Sequence, residues 1–117
     1  MSPLLLIDGD QNFRQALAIA LRLDGHAVSA VPSVEAAERE LASGEFGCCV
    51  IDVRLAGAAG LLGRMARSSR ACVVATAFDP DLLAETLARH PEVAALEKPF
   101  RVEDLRAVLG PRASIVA

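Results

Sequence analysis

Apolar residues fall into short unbroken runs along this chain, and four of them lead to one polar residue. Leu4 to Ile7 ends on Asp8, Cys48 to Ile51 on Asp52, Cys72 to Ala75 on Thr76, and Val93 to Leu96 stops just before Lys98. Runs of this kind are the pattern of parallel strands buried on both faces. Between the first two, the segment from about Gln11 to Asp24 carries Phe13, Leu17, Ala20 or Leu21 and Asp24 at helical spacing, and Gly25 supplies the stop. His26 to Val31 alternates loosely as a strand. Pro32-Ser33 introduces a helix running to Ser43, with Ser33 as N-cap and Gly44 at its C-terminal end.

The strand from about Cys48 to Val53 is followed by a Gly- and Ala-rich loop, Arg54 to Gly60, and a helix to about Ser68 that Gly57, Gly60 and Gly63 weaken. Ala71 to Thr76 reads as the next strand. Asp79-Pro80 is a strong helix start, since Asp caps and Pro tolerates the first helical position; that helix ends near His90-Pro91. A last strand, about Val93 to Glu97, leads through Lys98-Pro99-Phe100 into a helix from Val102 to Leu109 closed by Gly110-Pro111. Strands alternating with helices predict a parallel sheet with right-handed crossovers and helices on both faces. In such open α/β sheets ligands bind beyond the carboxyl ends of the strands, where Asp8, Asp52, Thr76 and Lys98 would meet.

A chain of 117 residues fits one domain, since domains typically hold about 100–150 residues. Hydrophobic residues make up 53% of it but aromatics only 3%, so the core must be built from Leu, Val, Ile and Ala. The net charge of −3 is spread without a basic block, which argues against electrostatic binding to nucleic acid or an anionic membrane. Cys48, Cys49 and Cys72 lie inside strand-like runs with no metal-ligand or redox spacing and read as buried reduced thiols, which suits a cytoplasmic protein. Met1, Ser2 and Pro3 give no positively charged leader, and no stretch approaches the roughly 20 apolar residues that span a bilayer.

Lys98 is the only lysine, the other basic residues all being arginines. Two carboxylates at the ends of neighbouring strands repel, so they are kept apart, or one is protonated, or a cation lies between them. Mg²⁺ takes oxygen ligands and is commonly held by one or two carboxylates, as Asp8 and Asp52 would allow. An ordinary aspartate is ionised at neutral pH and can attack phosphorus without a general base. What it needs is screening of the negative charge on the phosphoryl oxygens, for which Lys98 is the ammonium and Thr76 a hydroxyl donor.

In these residues the chain resembles the receiver domains of bacterial two-component response regulators, over roughly residues 4 to 110. The resemblance is carried by Leu5-Leu6-Ile7-Asp8 followed by Asn12-Phe13-Arg14, by Val50-Ile51-Asp52-Val53-Arg54-Leu55 then Gly57, by Val74-Ala75-Thr76-Ala77, and by Lys98-Pro99-Phe100. It implies a single-domain flavodoxin-like (βα)5 fold, doubly wound, with strand order 2-1-3-4-5 and a cis peptide at Lys98-Pro99. Residues 111–117 become a tail or the start of a linker. It further implies that Asp52 accepts a phosphoryl group from a histidine kinase or histidine phosphotransfer protein. Lys98 pairs with that group and Thr76 acts as the switch hydroxyl. Asp8, Asp52 and the Arg54 backbone carbonyl form a Mg²⁺ site, with Asp10 a further candidate. Such a domain is a signalling module rather than an enzyme beyond self-phosphorylation and self-dephosphorylation. Its partners are a kinase and an output domain or protein, with room for a homodimer.

Three positions depart from the family pattern. Gly9 stands where the second member of an acidic pair, a direct metal ligand, is usual, so Mg²⁺ should bind weakly. Ala95 replaces an aromatic ring whose rotation follows the switch hydroxyl, and Ala56 replaces a proline before Gly57. Asp10 would start the first helix, where capping is the simpler role. His26 and His90 look like neither ligands nor phosphodonors, and Arg64, Arg67 and Arg70 read as a solvated face. Two other readings compete. A degenerate receiver would serve as a phosphorylation-independent interaction module, as Gly9 and Ala95 suggest. Asp8-Gly9-Asp10 is also similar to the nucleophile motif of haloacid-dehalogenase-type phosphatases, which would make Asp8 the nucleophile but leave Asp52 unexplained.

Overall fold

The computed structural model describes residues 3–68 and 72–109. Five strands alternate with five helices: β1 (Leu4–Ile7), α1 (Gln11–Leu23), β2 (Val28–Val31), α2 (Val34–Ser43), β3 (Cys48–Asp52), α3 (Ala58–Arg67), β4 (Cys72–Ala77), α4 (Pro80–Arg89), β5 (Ala94–Glu97) and α5 (Val102–Leu109). All strands are parallel, in the order β2-β1-β3-β4-β5, the flavodoxin-like arrangement. The expected stop at Gly110-Pro111, the tail, Arg70, Ala71 and the first two residues lie outside the described residues.

Alternation along each strand sorts the core into two layers. Leu5, Ile7, Cys49, Ile51, Val73 and Ala75 face α2, α3 and α4, where Val34, Ala37, Ala58, Leu61, Leu62, Met65 and Leu83 cover them. Leu4, Leu6, Val50 and Val74 face the other way, under Leu17, Ala18 and Leu21 of α1 and Leu105 of α5. With both faces covered, β1 buries all four of its residues, which explains its unbroken apolar run. Of the three thiols expected to be buried, Cys49 is buried outright and burial pushes it up to about 12, whereas Cys48 and Cys72 are only half-buried.

The structure corrects two boundaries. His26 does not open β2: its N–H donates to the Leu21 carbonyl, and that of Gly25, at φ 98°, to the Arg22 carbonyl. This pair of bonds closes α1 and uses up the first residues that had looked strand-like. α3 begins at Ala58 rather than after Gly60. Gly57 makes the turn at φ 82°, and burial of Ala58, Leu61, Leu62 and Met65 outweighs the roughly 1 kcal/mol that a helical glycine costs. Three helices are capped as the sequence suggests, by Asp10, Ser33 and Asp79. Arg64 and Arg67 are exposed.

Asp24, at the end of α1, receives two hydrogen bonds from the Arg106 guanidinium of α5, at 2.6 and 3.0 Å. That bonding holds its carboxyl below the ordinary 3.8. A depressed carboxyl contributes stability that is full above its unfolded value and fades as pH falls through the folded one. Asp24→Asn is therefore expected to lower the urea midpoint slightly at neutral pH, with the gap to the native chain closing below pH 3.8. Urea curves at the two pH values check this, and a gap that persists in acid would contradict it.

Candidate functional site

Register places the site. Ile7 pairs with Ile51, Ile51 with Ala75 and Ala75 with Ala95, so the residues that follow, Asp8, Asp52 and Thr76, stand level at the carboxyl edge of the three central strands. All three share the parity of Leu6, Val50 and Val74, so they lie on the α1–α5 side of the sheet. Lys98 follows β5 by one residue. Its backbone N–H donates to the Ala77 carbonyl at 2.8 Å and its bond to Pro99 is cis.

The Lys98 ammonium lies between the two carboxylates. Nζ donates to Asp8 Oδ2 at 2.5 Å and to Asp52 Oδ2 at 3.0 Å. The Lys98 and Asp8 side chains are 3% and 2% exposed and that of Asp52 17%, so the group is nearly dry. The other carboxylate oxygens are also engaged. Asp8 Oδ1 accepts from the Asp10 N–H and Asp52 Oδ1 from the Arg54 N–H, each at 2.9 Å. Burial pulls the ammonium pKa down, but hydrogen bonds to Asp8 and Asp52, together with their charges, outweigh it and hold Lys98 above the ordinary lysine value. Of the answers open to two neighbouring carboxylates, the fold uses a cation, and the cation is the protein's own.

Thr76 is buried beside Asp52, its register partner in β4. Ala95 is the register partner of Ala75, with a methyl where an aromatic ring is usual. Asp10 is exposed and spends one oxygen on the Phe13 N–H as the cap of α1. As donors for a hard divalent ion, Asp8, Asp52 and the Arg54 carbonyl suit Mg²⁺ in kind, but they are a carboxylate short. Gly9 brings no ligand, and among the described residues no group of three or more His, Cys, Asp or Glu side chains converges. A Cβ at Gly9 would stand 3.2 Å from Leu55 Cδ2, so the side chain that fills this corner is apolar.

Sequence reasoning missed two features of the site. Arg14 Nη1 donates to the Asp8 carbonyl at 2.8 Å and ties α1 to the end of β1. Phe13 and Phe78 flank the Lys98 ammonium, which lies 4.6 and 5.5 Å from their ring centroids. The available signal was scarcity: with four aromatic residues in the chain, three of them near Asp8, Thr76 and Lys98 in sequence is a concentration.

Comparison with known proteins bears on this geometry. The family model of the response regulator receiver domain matches residues 4–110. No curated protein matches. Among solved structures, a two-component response regulator from Clostridium difficile is similar at TM-score 0.82 and 18% identity, over 99% of this chain and 98% of that one. A Burkholderia pseudomallei response regulator with a phosphorylated aspartic acid, calcium ion and citrate is similar at TM-score 0.80 and 22% identity, over 99% of this chain and 71% of that one. The beryllofluoride-activated NtrC4 receiver domain dimer is similar at TM-score 0.75 and 20% identity, over 98% of each chain. At such identities the likeness speaks for the fold.

Proposed function

Since the chain belongs to the response regulator receiver domain family, we propose that it accepts a phosphoryl group on Asp52 and converts that event into a change of protein-binding surface. The observation that carries the reading is the Lys98 ammonium, held against both Asp8 and Asp52 in a nearly dry pocket at the strand ends. The Asp52 side chain is 17% exposed, so an oxygen can reach a donor's phosphorus. An Asp52 oxygen forms the new O–P bond as the bond from phosphorus to the donor's leaving group breaks, and that group departs with its electron pair. The Arg54 N–H anchors the other Asp52 oxygen. Lys98 neutralises charge that develops on the phosphoryl oxygens.

A divalent ion, when bound by Asp8, Asp52 and the Arg54 carbonyl, adds further screening of that charge. Asp10 is the one nearby acid able to supplement the set, at the expense of its cap. Calcium accompanies the phosphorylated aspartic acid in the Burkholderia pseudomallei protein, which supports a hard-ion site here. Thr76 is read as the switch: its hydroxyl engages a phosphoryl oxygen and draws the loop after β4 toward the pocket. Because Ala95 has no ring to follow it, the output passes through backbone movement of this loop. The phosphodonor is a histidine kinase or histidine phosphotransfer protein, and the readout an output domain, a partner protein or a second copy, as in the NtrC4 receiver dimer. No helix among the described residues is long and apolar enough to cross a membrane, and we place the protein in the cytoplasm.

One observation favours a second reading. Lys98 already satisfies both carboxylates, so a domain that has lost the ligand at Gly9 is stable as an interaction module without phosphate. Incubation with acetyl phosphate, with and without Mg²⁺, separates the two. Intact-mass spectrometry is expected to record Mg²⁺-stimulated gain of one phosphoryl group, abolished in Asp52→Asn. No gain at millimolar Mg²⁺ selects the interaction module. Gain that survives Asp52→Asn moves the nucleophile elsewhere, with Asp8 the first suspect.

A further inference from the structure

Two of the chain's four aromatic side chains face its single lysine, and a third packs against one of them. The Lys98 Nζ lies over the Phe13 ring at 4.6 Å and over the Phe78 ring at 5.5 Å, and Phe100 meets Phe13 edge-on at 5.4 Å. A cation within about 6 Å of an aromatic face is attracted by the ring quadrupole, more strongly where water is excluded. Phe13 is braced by Phe100 and by the apolar layer beneath α1 and α5. Phe78 is different. It follows β4 directly, two residues after Thr76, and stays 63% exposed although Lys98 beside it is 4% exposed. Core packing does not account for a large ring held at the surface there, whereas the buried cation next to it does.

We propose that Phe13 and Phe78 form an aromatic clamp that positions the Lys98 ammonium between Asp8 and Asp52. They are positioning residues for the chemistry of Asp52, and this functional part rests on the phosphoacceptor reading above. A lysine reaches its site on a flexible four-carbon stem, and its compact charge can be satisfied in many places. Of the three N–H donors, one goes to Asp8 Oδ2 and one to Asp52 Oδ2. With ring faces on two sides, the nitrogen is confined to the pocket, and its third donor remains for a phosphoryl oxygen. Where Gly9 weakens the divalent ion, a well-fixed ammonium carries more of the screening. The Phe78 ring also stands in the loop that Thr76 is read to move, so the clamp and the switch share one segment.

A single lysine makes the test clean, because protein labelled with ¹³C-lysine gives one set of side-chain resonances. The Lys98 ε-methylene protons are expected upfield of their position in the unfolded chain, from the ring currents of the flanking phenylalanines. Phe78→Leu keeps an apolar side chain but removes the ring, and the signals are expected to move back toward the unfolded position; Phe78→Trp is expected to keep them shifted. Labelling by acetyl phosphate should slow about two- to fivefold in Phe78→Leu, in line with one partly exposed cation–π contact, and recover in Phe78→Trp. Lys98 signals that do not respond to Phe78→Leu in a folded protein overturn the clamp whether or not Asp52 takes phosphate. Ring-shifted signals in a chain that never takes phosphate uphold the contact and overturn its role in the reaction.

Discussion

Replacing Lys98 with methionine is expected to destabilise the domain by about 3–5 kcal/mol, the cost of leaving a buried charge without its partner. The ammonium hydrogen-bonds two carboxylates, and Asp8, 1% exposed, has no route to solvent that would relieve it. Methionine preserves much of the volume and the contact with Phe13, so the loss reports charge rather than packing. Of the four hydrogen bonds described to the two carboxylates, the two from the Asp10 and Arg54 N–H groups stay, while both from Lys98 go. The companion variant Asp8→Asn with Lys98→Met should recover a large share of the stability, since it removes the stranded charge. Urea denaturation of the two variants measures this. A loss below about 1 kcal/mol in Lys98→Met would place the pair among surface ion pairs and undo the account of a dry site.

Gly9→Asp is expected to tighten Mg²⁺ binding by on the order of tenfold or more, because the affinity of oxygen sites for divalent ions is tuned over decades by the number of charged ligands. The backbone there accepts an L side chain, since only Gly25 and Gly57 among the described glycines have positive φ. Space is tighter. The new Cβ would lie 3.2 Å from Leu55 Cδ2 and 3.8 Å from the Pro32 carbonyl oxygen, so the end of the half-buried Leu55 must give by a few tenths of an ångström. Without metal, a further carboxylate beside Asp8 and Asp52 adds like-charge repulsion, so the variant should be less stable than the native chain in chelator and regain stability with Mg²⁺. Isothermal titration calorimetry reads the affinity directly, which matters in a chain with neither Trp nor Tyr to report binding by fluorescence. An unchanged affinity would mean that Asp10 already supplies the missing oxygen.

These two experiments pull on the same charge balance from opposite sides. Lys98→Met removes the pocket's own cation, and Gly9→Asp restores the ligand that favours an external one. If the ammonium carries screening that Mg²⁺ carries in better-furnished receivers, phosphorylation of the native chain should depend on metal less steeply than that of Gly9→Asp.

Much of the site is legible in the chain because its residues interrupt regular patterns. Asp8 and Asp52 each end an apolar run and Lys98 comes just beyond another, and the two carboxylates share a cation, one of the outcomes their repulsion allows. That the cation is Lys98 could not be read, because the choice between ammonium and metal depends on a few ångströms at a point where three strand ends converge. The turn before β2 and the start of α3 were misplaced for a related reason. His26 is captured by the end of α1, and Ala58 by burial in the core, both outcomes of neighbours rather than of local preference. Phe13 and Phe78 are 65 positions apart in sequence by their numbers, and nothing in either neighbourhood links them to a lysine further on.

By itself the sequence determines the succession of strands and helices, the parallel α/β class and the acidic and basic groups gathered at one sheet edge. Those follow from side-chain alternation, helical spacing, caps and turn residues, which act over a few neighbouring positions. Tertiary structure alone decides which groups touch. The register of four strand pairs sets Asp8, Asp52 and Thr76 level, and the Lys98 side chain reaches from the end of β5 to the two carboxylates, between two rings. Electrostatic and cation–π energies change steeply over such distances, so they belong to the folded arrangement and not to the order of residues.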